Sequence, residues 1–460
     1  MKHCRQEKIS LLETITAIYA ACMLSVFLLF PGTGGYRSIT AEKWRAFLLL
    51  SGGYAALMLL LRLELALTGI RRLSSPAAVW RSMGVPQKLL IGFWVLSAVS
   101  TAFSVNRTVS FWGGARHEGL LTITLYCAVC LLVSRYGRAR AWMLWLFGAA
   151  MSVNCLLSFL QLAGYNPLGL YPQGMNFYDA NVLYAGEFLG TAGNVDIFSA
   201  ILCAAIPAFW IAVVKLPERR RFFFLIPLVL CMAVLWKISV AGGIVGVIGS
   251  ALLTVPVLLR GKRARAAGWT AVLCVLVLGA AGIYAFGGQL GGFLREASEL
   301  LHGRWNDDFG SSRLYIWRNV AELIWERPLW GGGPDTLGLR TAAAFERYDE
   351  SLGLLIHSSV DAAHNEYLNI AVNQGLPALL TYTAALSTAA ASWARTAAED
   401  PASAICGGAV LGYCIQAFFG ISSPISAPYL WLALGFLISS VSVRQKRRAW
   451  QKNDRGTHSQ

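Results

Sequence analysis

Apolar runs of about 17 to 25 residues recur along the chain, each long enough to cross a bilayer. A soluble domain has no place to put them. The balance of residue types agrees, since 56% of the 460 residues are hydrophobic and only 14% charged, where a soluble domain carries about 25% charged residues. This excludes an ordinary cytosolic enzyme and a disordered chain. It also excludes a soluble solenoid, whose exposed turns need more polar surface. Twelve spans are expected, near residues 10–30, 44–62, 87–105, 119–134, 141–163, 195–214, 222–236, 240–259, 268–287, 374–393, 402–420 and 427–443. The apolar stretch 222–259 is too long for one helix and is divided at Lys237, because a lone Lys at a bilayer centre is costly. The first run is too long for a cleavable signal, and no small-residue cleavage site precedes Pro31. The expected fold is all-α, a polytopic transmembrane helical bundle with one large extracytoplasmic loop containing amphipathic helices.

The net charge of +15 reads as a topology signal and not as a nucleic-acid footprint. With the N-terminus inside, Lys2, Arg5 and Lys8 share a side with Arg71, Arg72, Arg81, Lys88, Arg135, Arg138 and Arg140. Lys215, Arg219–Arg221, Arg260, Lys262, Arg263, Arg265, Arg395 and the basic tail from Arg444 fall there too. About 25 of the 39 Lys and Arg then lie on one face, so both termini are expected to be cytoplasmic. Of ten cysteines, nine lie in apolar stretches and Cys4 in the N-terminal tail, which leaves no disulfide framework and no zinc spacing. The CxxC at Cys127 and Cys130 reads as packing on one helix face.

The chain divides into N-terminal spans (1–287), a large extracytoplasmic loop (288–373), C-terminal spans (374–443) and a basic cytoplasmic tail (444–460). A second, shorter outer segment covers about 164–194. The large loop holds half of all the acidic residues and is not low-complexity. Within it, residues 311–327 space Leu314, Trp317, Val320, Ala321 and Ile324 at helical intervals. Ser311 or Ser312 could cap that helix, and Pro328 with Gly331–Gly333 ends it. Its Trp317 and Trp325 suit a membrane interface.

The spans contain very few acids or His, which argues against an ion-coupled transporter. Polar chemistry collects on the outer face instead. His364, at the start of an apolar helix and beside Asn365 and Glu366, has the character of a general base. A helix-capping polar cluster is the competing reading. His357 is a weaker candidate with no strong context. Arg116, in FWGGARHEGLLT, and Arg313 and Arg318, on the interface helix, suit an anionic lipid phosphate. General headgroup binding is the alternative. GGGPD at 331–335 forms a tight turn or an anion nest. It lacks the Lys and Ser/Thr of a nucleotide loop.

Two longer stretches, SSRLYIWRNVAELIWERPLWGGGPDTL and AHNEYLNIAVNQGLPALL, resemble the O-antigen ligase / O-antigen polymerase-like superfamily. The loop pattern is carried by Ser312, Arg313, Trp317, Pro328, Gly331, Gly333, Pro334, His364, Asn365, Leu368 and Gly375. GTAGNVDIFSAIL (190–202) looks like the family's Gly-x-x-Gly-Asn stretch, and WGGARHEGLL like its Arg-x-x-Gly segment. The matching pieces span about 112–380. The resemblance implies a GT-C-like architecture in a bacterial inner (cytoplasmic) membrane, with the active site on the outside. It implies transfer from an undecaprenyl-pyrophosphate-linked glycan donor to a glycan, lipid or protein acceptor, with no cofactor and no metal. On that reading His364 deprotonates the acceptor hydroxyl, and Arg116 and Arg313 hold the pyrophosphate as leaving group. Arg318, Lys237, Asn194, Asn365 and Tyr367 are the further expected donor-binding residues. Members often carry Ser-Arg-Gly at an outer hairpin, where this chain has Ser239-Val240-Ala241-Gly242. Lys237 is then the nearby charge, a point charge without a planar fork. The favoured reading is an O-antigen ligase-like glycosyltransferase. A surface-polysaccharide polymerase is the runner-up, and a lipid-linked oligosaccharide transporter and a non-catalytic scaffold are the rivals from other classes.

Overall fold

The computed structural model describes residues 2–68, 75–171, 189–341, 344–349 and 354–457; for 2–10, 344–349, 354–359 and 445–457 it describes the backbone alone. Most of the outer segment expected at 164–194, from 172 to 188, lies outside the described residues.

Every expected span holds a helix: Lys2–Cys22, Ile39–Leu67, Val85–Ala102, Leu120–Tyr136, Ala141–Leu162, Val195–Lys215, Leu225–Ile238, Ala241–Leu258, Lys262–Phe286, Leu376–Thr396, Pro401–Gln416 and Ala427–Thr457. Among the described residues, eight helices are long and apolar enough to cross a membrane, and Leu11–Phe27 and Leu120–Tyr136 are shorter apolar helices. Leu376–Thr396 and Pro401–Gln416 fall outside both groups because Ala, Gly, Ser and Thr dilute their hydropathy. Such small residues let helix backbones approach closely inside a membrane. This is a multi-pass membrane protein with a helical body. The division near Lys237 is real, since the helix stops at Ile238 and Ser239 turns left-handed at φ 50° before Ala241 starts the next one.

The centre of the bundle is the Val195–Lys215 helix, 83% of whose apolar window is buried, while Lys262–Gln289 is a peripheral helix with 11% buried. The central helix packs mainly on Pro401–Gln416, and also on Leu225–Ile238 and Ala241–Leu258. The close fit has a local cause. Pro207 sits inside the central helix and cannot donate to the carbonyl four residues back. That carbonyl, on Cys203, faces Gly412, where a Cβ would lie 2.0 Å from its oxygen. Only glycine permits this approach.

The large loop is ordered around two helices, Phe293–Leu301 and Phe309–Glu326, and it ends on the Glu366–Gln374 helix. It also holds a short antiparallel hairpin absent from the sequence expectation, β1 (Ala344–Asp349) paired with β2 (Leu354–Ser359). The expected serine cap does not form. Gly310, Ser311 and Ser312 all take left-handed backbone angles at a kink, and the helix start has no side-chain cap. The helix does end where Pro328 predicts, at Glu326. One face of it, through Ile316, Val320 and Ile324, packs with Leu337, Ala363 and Val372 into a satellite core.

Candidate functional site

Five separated stretches converge at one end of the bundle. The Asn194 side chain caps the central helix by accepting from the Ile197 amide at 3.0 Å, which sets Asp196 at that helix's first turn. The preceding turn is anchored from below. Gln161 Oε1 accepts from the Gly190 amide at 2.7 Å, and Asn154 Oδ1 accepts from the Thr191 amide at 3.0 Å. On the loop helix, Arg313 Nη1 donates to Gly310 O at 2.7 Å, which uses the kink to fix its guanidinium. Arg313 Nη2 lies 3.7 Å from Asp196.

Arg116 belongs to the 113–119 loop. Asp335 of the GGGPD motif holds that loop, accepting from the Gly114 amide at 2.6 Å and the Glu118 amide at 3.2 Å. Arg116 then faces Asp361 side by side, with Nη2–Oδ1 and Nε–Oδ2 both at 2.9 Å. The GGGPD glycines do not form an anion nest. Their amides are used by the chain itself, with Gly331 donating to Arg327 O, Gly332 to Val372 O and Gly333 to Asn373 O. The motif is a clamp for the Arg116 loop.

His364 sits half-buried between these two arginine–aspartate pairs. Its backbone is left-handed, at φ 47°, a costly conformation for a residue with a Cβ. Neighbours on both sides hold it there. Trp317 Nε1 donates to Ala363 O at 3.0 Å, Asn369 Oδ1 accepts from the Ala363 amide, and Asn365 caps the following helix at the Leu368 amide. Burial pushes the His364 imidazole down to about 4, with Arg313 and Arg116 adding to the fall and Asp196 and Asp361 opposing it. The ring is therefore neutral near pH 7, the form that can accept a proton.

Behind the histidine lies a buried carboxyl cluster. Glu366 Oε1 accepts from the Tyr382 hydroxyl at 2.5 Å, and the Glu366 amide donates to Ala417 O. Glu118 accepts from Tyr126 at 2.6 Å and from Ser422 at 3.0 Å. Burial pushes Glu118 up to about 8, Glu366 to about 7 and Asp335 to about 6. Glu118, Asp335, Glu366 and Gln374 line a cavity of about 30 Å³, room for a water or two. Among the described residues no group of three or more His, Cys, Asp or Glu could hold a metal ion.

Of the residues picked from the sequence, His364, Arg116 and Arg313 come together. Asn194 and Asn365 act as helix caps, and the Tyr367 hydroxyl donates to Cys414 O at 2.7 Å. Arg318 is exposed and paired with Asp307 at 2.6 Å, and it is not among the charges acting on His364. Lys237 is exposed at the hairpin before Ser239. His357 lies on β2, its side chain outside the described residues. Sequence reasoning missed Asp196, Asp361, Glu118 and the clamp role of Asp335. Asp335, Asp196 and Glu118 stand in the quoted GGGPD, GTAGNVDIFSAIL and WGGARHEGLL stretches, and Asp361 carried no signal.

Residues 228–383 match the family model for O-antigen ligase. This match covers 156 of the 460 residues and supports a relation to the O-antigen ligase/polymerase-like superfamily. The matched segment brings Arg313, the GGGPD clamp and His364. Arg116, from the 113–119 loop, and Asp196, from the central helix, lie outside it and are delivered by the fold. No curated protein matches the chain.

Proposed function

We propose that this protein is an O-antigen ligase-like glycosyltransferase. It moves a glycan from undecaprenyl pyrophosphate to an acceptor hydroxyl at the outer face of a bacterial inner membrane, with both termini cytoplasmic. The observation that carries this is a neutral histidine set between two guanidinium groups on ordered loops. In addition, Arg313 Nε is buried without a hydrogen-bond partner among the described residues, a donor suited to a further anion.

His364 takes the proton from the acceptor hydroxyl, and the oxygen attacks the anomeric carbon. The bond from that carbon to the pyrophosphate oxygen breaks, and its electron pair leaves with the lipid pyrophosphate. Arg116 and Arg313 stabilise the charge that develops there. Attack opposite the leaving group inverts the anomeric centre. The donor bond supplies the driving force, so no nucleotide is needed. The donor's anionic charge between the arginines also raises the imidazole from its depressed value and makes it a better base where substrate is present.

The test is transfer by purified protein given undecaprenyl-pyrophosphate glycan and candidate acceptors, with EDTA and without nucleotide. Transfer by wild type and none by His364→Ala supports the assignment. A single block joined to the acceptor marks a ligase, and a ladder of products marks a polymerase. Lipid-linked glycan flipped across proteoliposomes without transfer would overturn the enzyme reading in favour of transport.

A further inference from the structure

At the end of the bundle opposite the candidate site lies a cavity of about 330 Å³. It is walled by the helices that begin at Ala141 and Pro401, by the second half of Val195–Lys215, and by residues 429–436 of Ala427–Thr457. Its size has a sequence cause. Ala204, Ala208, Ala402, Ala409 and Ala433 line it, where larger side chains would close it. Along the central helix it runs from Ala204 to Leu216, about 18 Å at the helical rise. That is close to the thickness of one leaflet's hydrocarbon. Cavities with apolar walls stay dry, and in a bilayer the material at hand to fill them is hydrocarbon. A cavity of about 150 Å³ accepts a benzene ring, so this one takes a chain of about a dozen carbons. Leu144, Ile405 and Ala433 on its walls are only partly buried, which opens it sideways toward lipid.

The rim is polar. Arg140 is exposed, lines the cavity and has no side-chain partner among the described residues. The Ala141–Leu162 helix starts there with no side-chain cap, so its free amides and dipole also favour an anion. Asp400 does not neutralise Arg140, since its carboxylate is turned to the Ser403 amide. We infer that this cavity binds an anionic phospholipid of the leaflet opposite the candidate site, with one acyl chain between the alanines and the phosphate at Arg140. The rim lies about 30 Å along the central helix from Asp196, so the headgroup cannot be the donor pyrophosphate held at Arg313.

Native mass spectrometry of the full chain released from nanodiscs tests this. The discs would contain phosphatidylethanolamine, phosphatidylglycerol and a trace of undecaprenyl phosphate. Wild type is expected to retain one phosphatidylglycerol per chain. The double variant Ala208→Leu/Ala433→Leu fills the cavity and should lower that occupancy at least tenfold. Arg140→Gln should keep a lipid but lose the preference for phosphatidylglycerol over phosphatidylethanolamine. If the double variant does not fold, Ala433→Leu alone and Arg140→Gln carry the comparison. Equal occupancy in wild type and filled variants, or an unchanged preference in Arg140→Gln, overturns the proposal. Retention of undecaprenyl phosphate in place of phosphatidylglycerol also overturns it. The readout is bound lipid, so it stands apart from any result on glycan transfer.

Discussion

A histidine held near the bottom of its range by burial, with two arginines adding to the fall, has a particular pH behaviour. The imidazole of the free protein titrates at about 4, so the acid limb of kcat/KM should lie well below the ordinary histidine value of about 6.5. A limb at the ordinary value would mean that neither burial nor the arginines act on the ring as described. His364→Ala should reduce kcat by about 10²–10⁴-fold with little change in melting temperature, because the ring is only half-buried. Arg116 and Arg313 answer a different measurement. Lys keeps the charge and loses the fork, so Arg116→Lys and Arg313→Lys should both raise the donor KM. Arg318→Ala should leave KM nearly unchanged, since that residue is exposed and paired with Asp307. The residue scale also shows why the site was half legible. The arginines and the histidine stand in recognisable strings. The pairing of the arginines with aspartates was not legible: Asp196 stands in the GTAGNVDIFSAIL stretch without any mark of its role, and Arg116 and Asp361 are 245 residues apart. Asn194 and Asn365 carry side chains equally suited to a sugar and to a helix amide, and only the fold shows the amide.

The loops that hold these residues are themselves held by short polar devices. Asp335 fixes the Arg116 loop through two backbone amides. Asp335→Ala leaves both amides without that acceptor, at a cost of about 1–3 kcal/mol. The melting temperature should fall and the donor KM should rise together. A fall in stability with donor binding intact would show that the clamp is not needed to place Arg116. Of the two expectations for the GGGPD segment, the tight turn forms, with the Thr336 amide donating to Gly333 O at 3.3 Å, and the anion nest does not. Its glycines also let the backbone pass within contact of its neighbours, and at Gly333, with φ 105°, a Cβ would lie 2.1 Å from Ser104 Oγ. Spacing in the sequence could not separate those outcomes, because a nest and a backbone clamp use the same amides. The helices fared better. A break in hydropathy at Lys237 marked a true turn, since membrane helices must show their ends as polar interruptions. The β1–β2 hairpin left no comparable mark, being short and set among polar residues.

At the scale of the whole molecule, the bundle carries two carboxyl groups, Glu118 and Glu366, with no cation acting on them among the described residues. The native Glu118 and Glu366 titrate at about 8 and about 7, above the unfolded value of about 4.3. The folded state therefore keeps protons that the unfolded chain has released. Their stabilising effect is complete below the unfolded value and is lost as pH rises through 7 and 8. The melting temperature of wild type should fall between pH 5 and pH 9, and Glu118→Gln with Glu366→Gln should flatten that fall. An equal slope in the double variant would place the pH dependence elsewhere. The multi-span helical body was legible from the chain because the bilayer permits few architectures. The carboxyl cluster was not, because it joins the 113–119 loop, the Glu366–Gln374 helix and Ser422 across most of the sequence.

The same long-range assembly governs how the protein comes into being. Glu118 waits for Ser422, Arg116 for Asp361, and the Glu366 amide for the carbonyl of Ala417. A ribosome delivers these partners last. The first half of the chain is thus threaded into the bilayer as an unfinished object, its charged groups provisional and its chemistry silent. A nascent or truncated product stopping before residue 417 should be inert toward lipid-linked sugars. On the proposed function, the cell is spared a half-made transferase spending its carrier lipid.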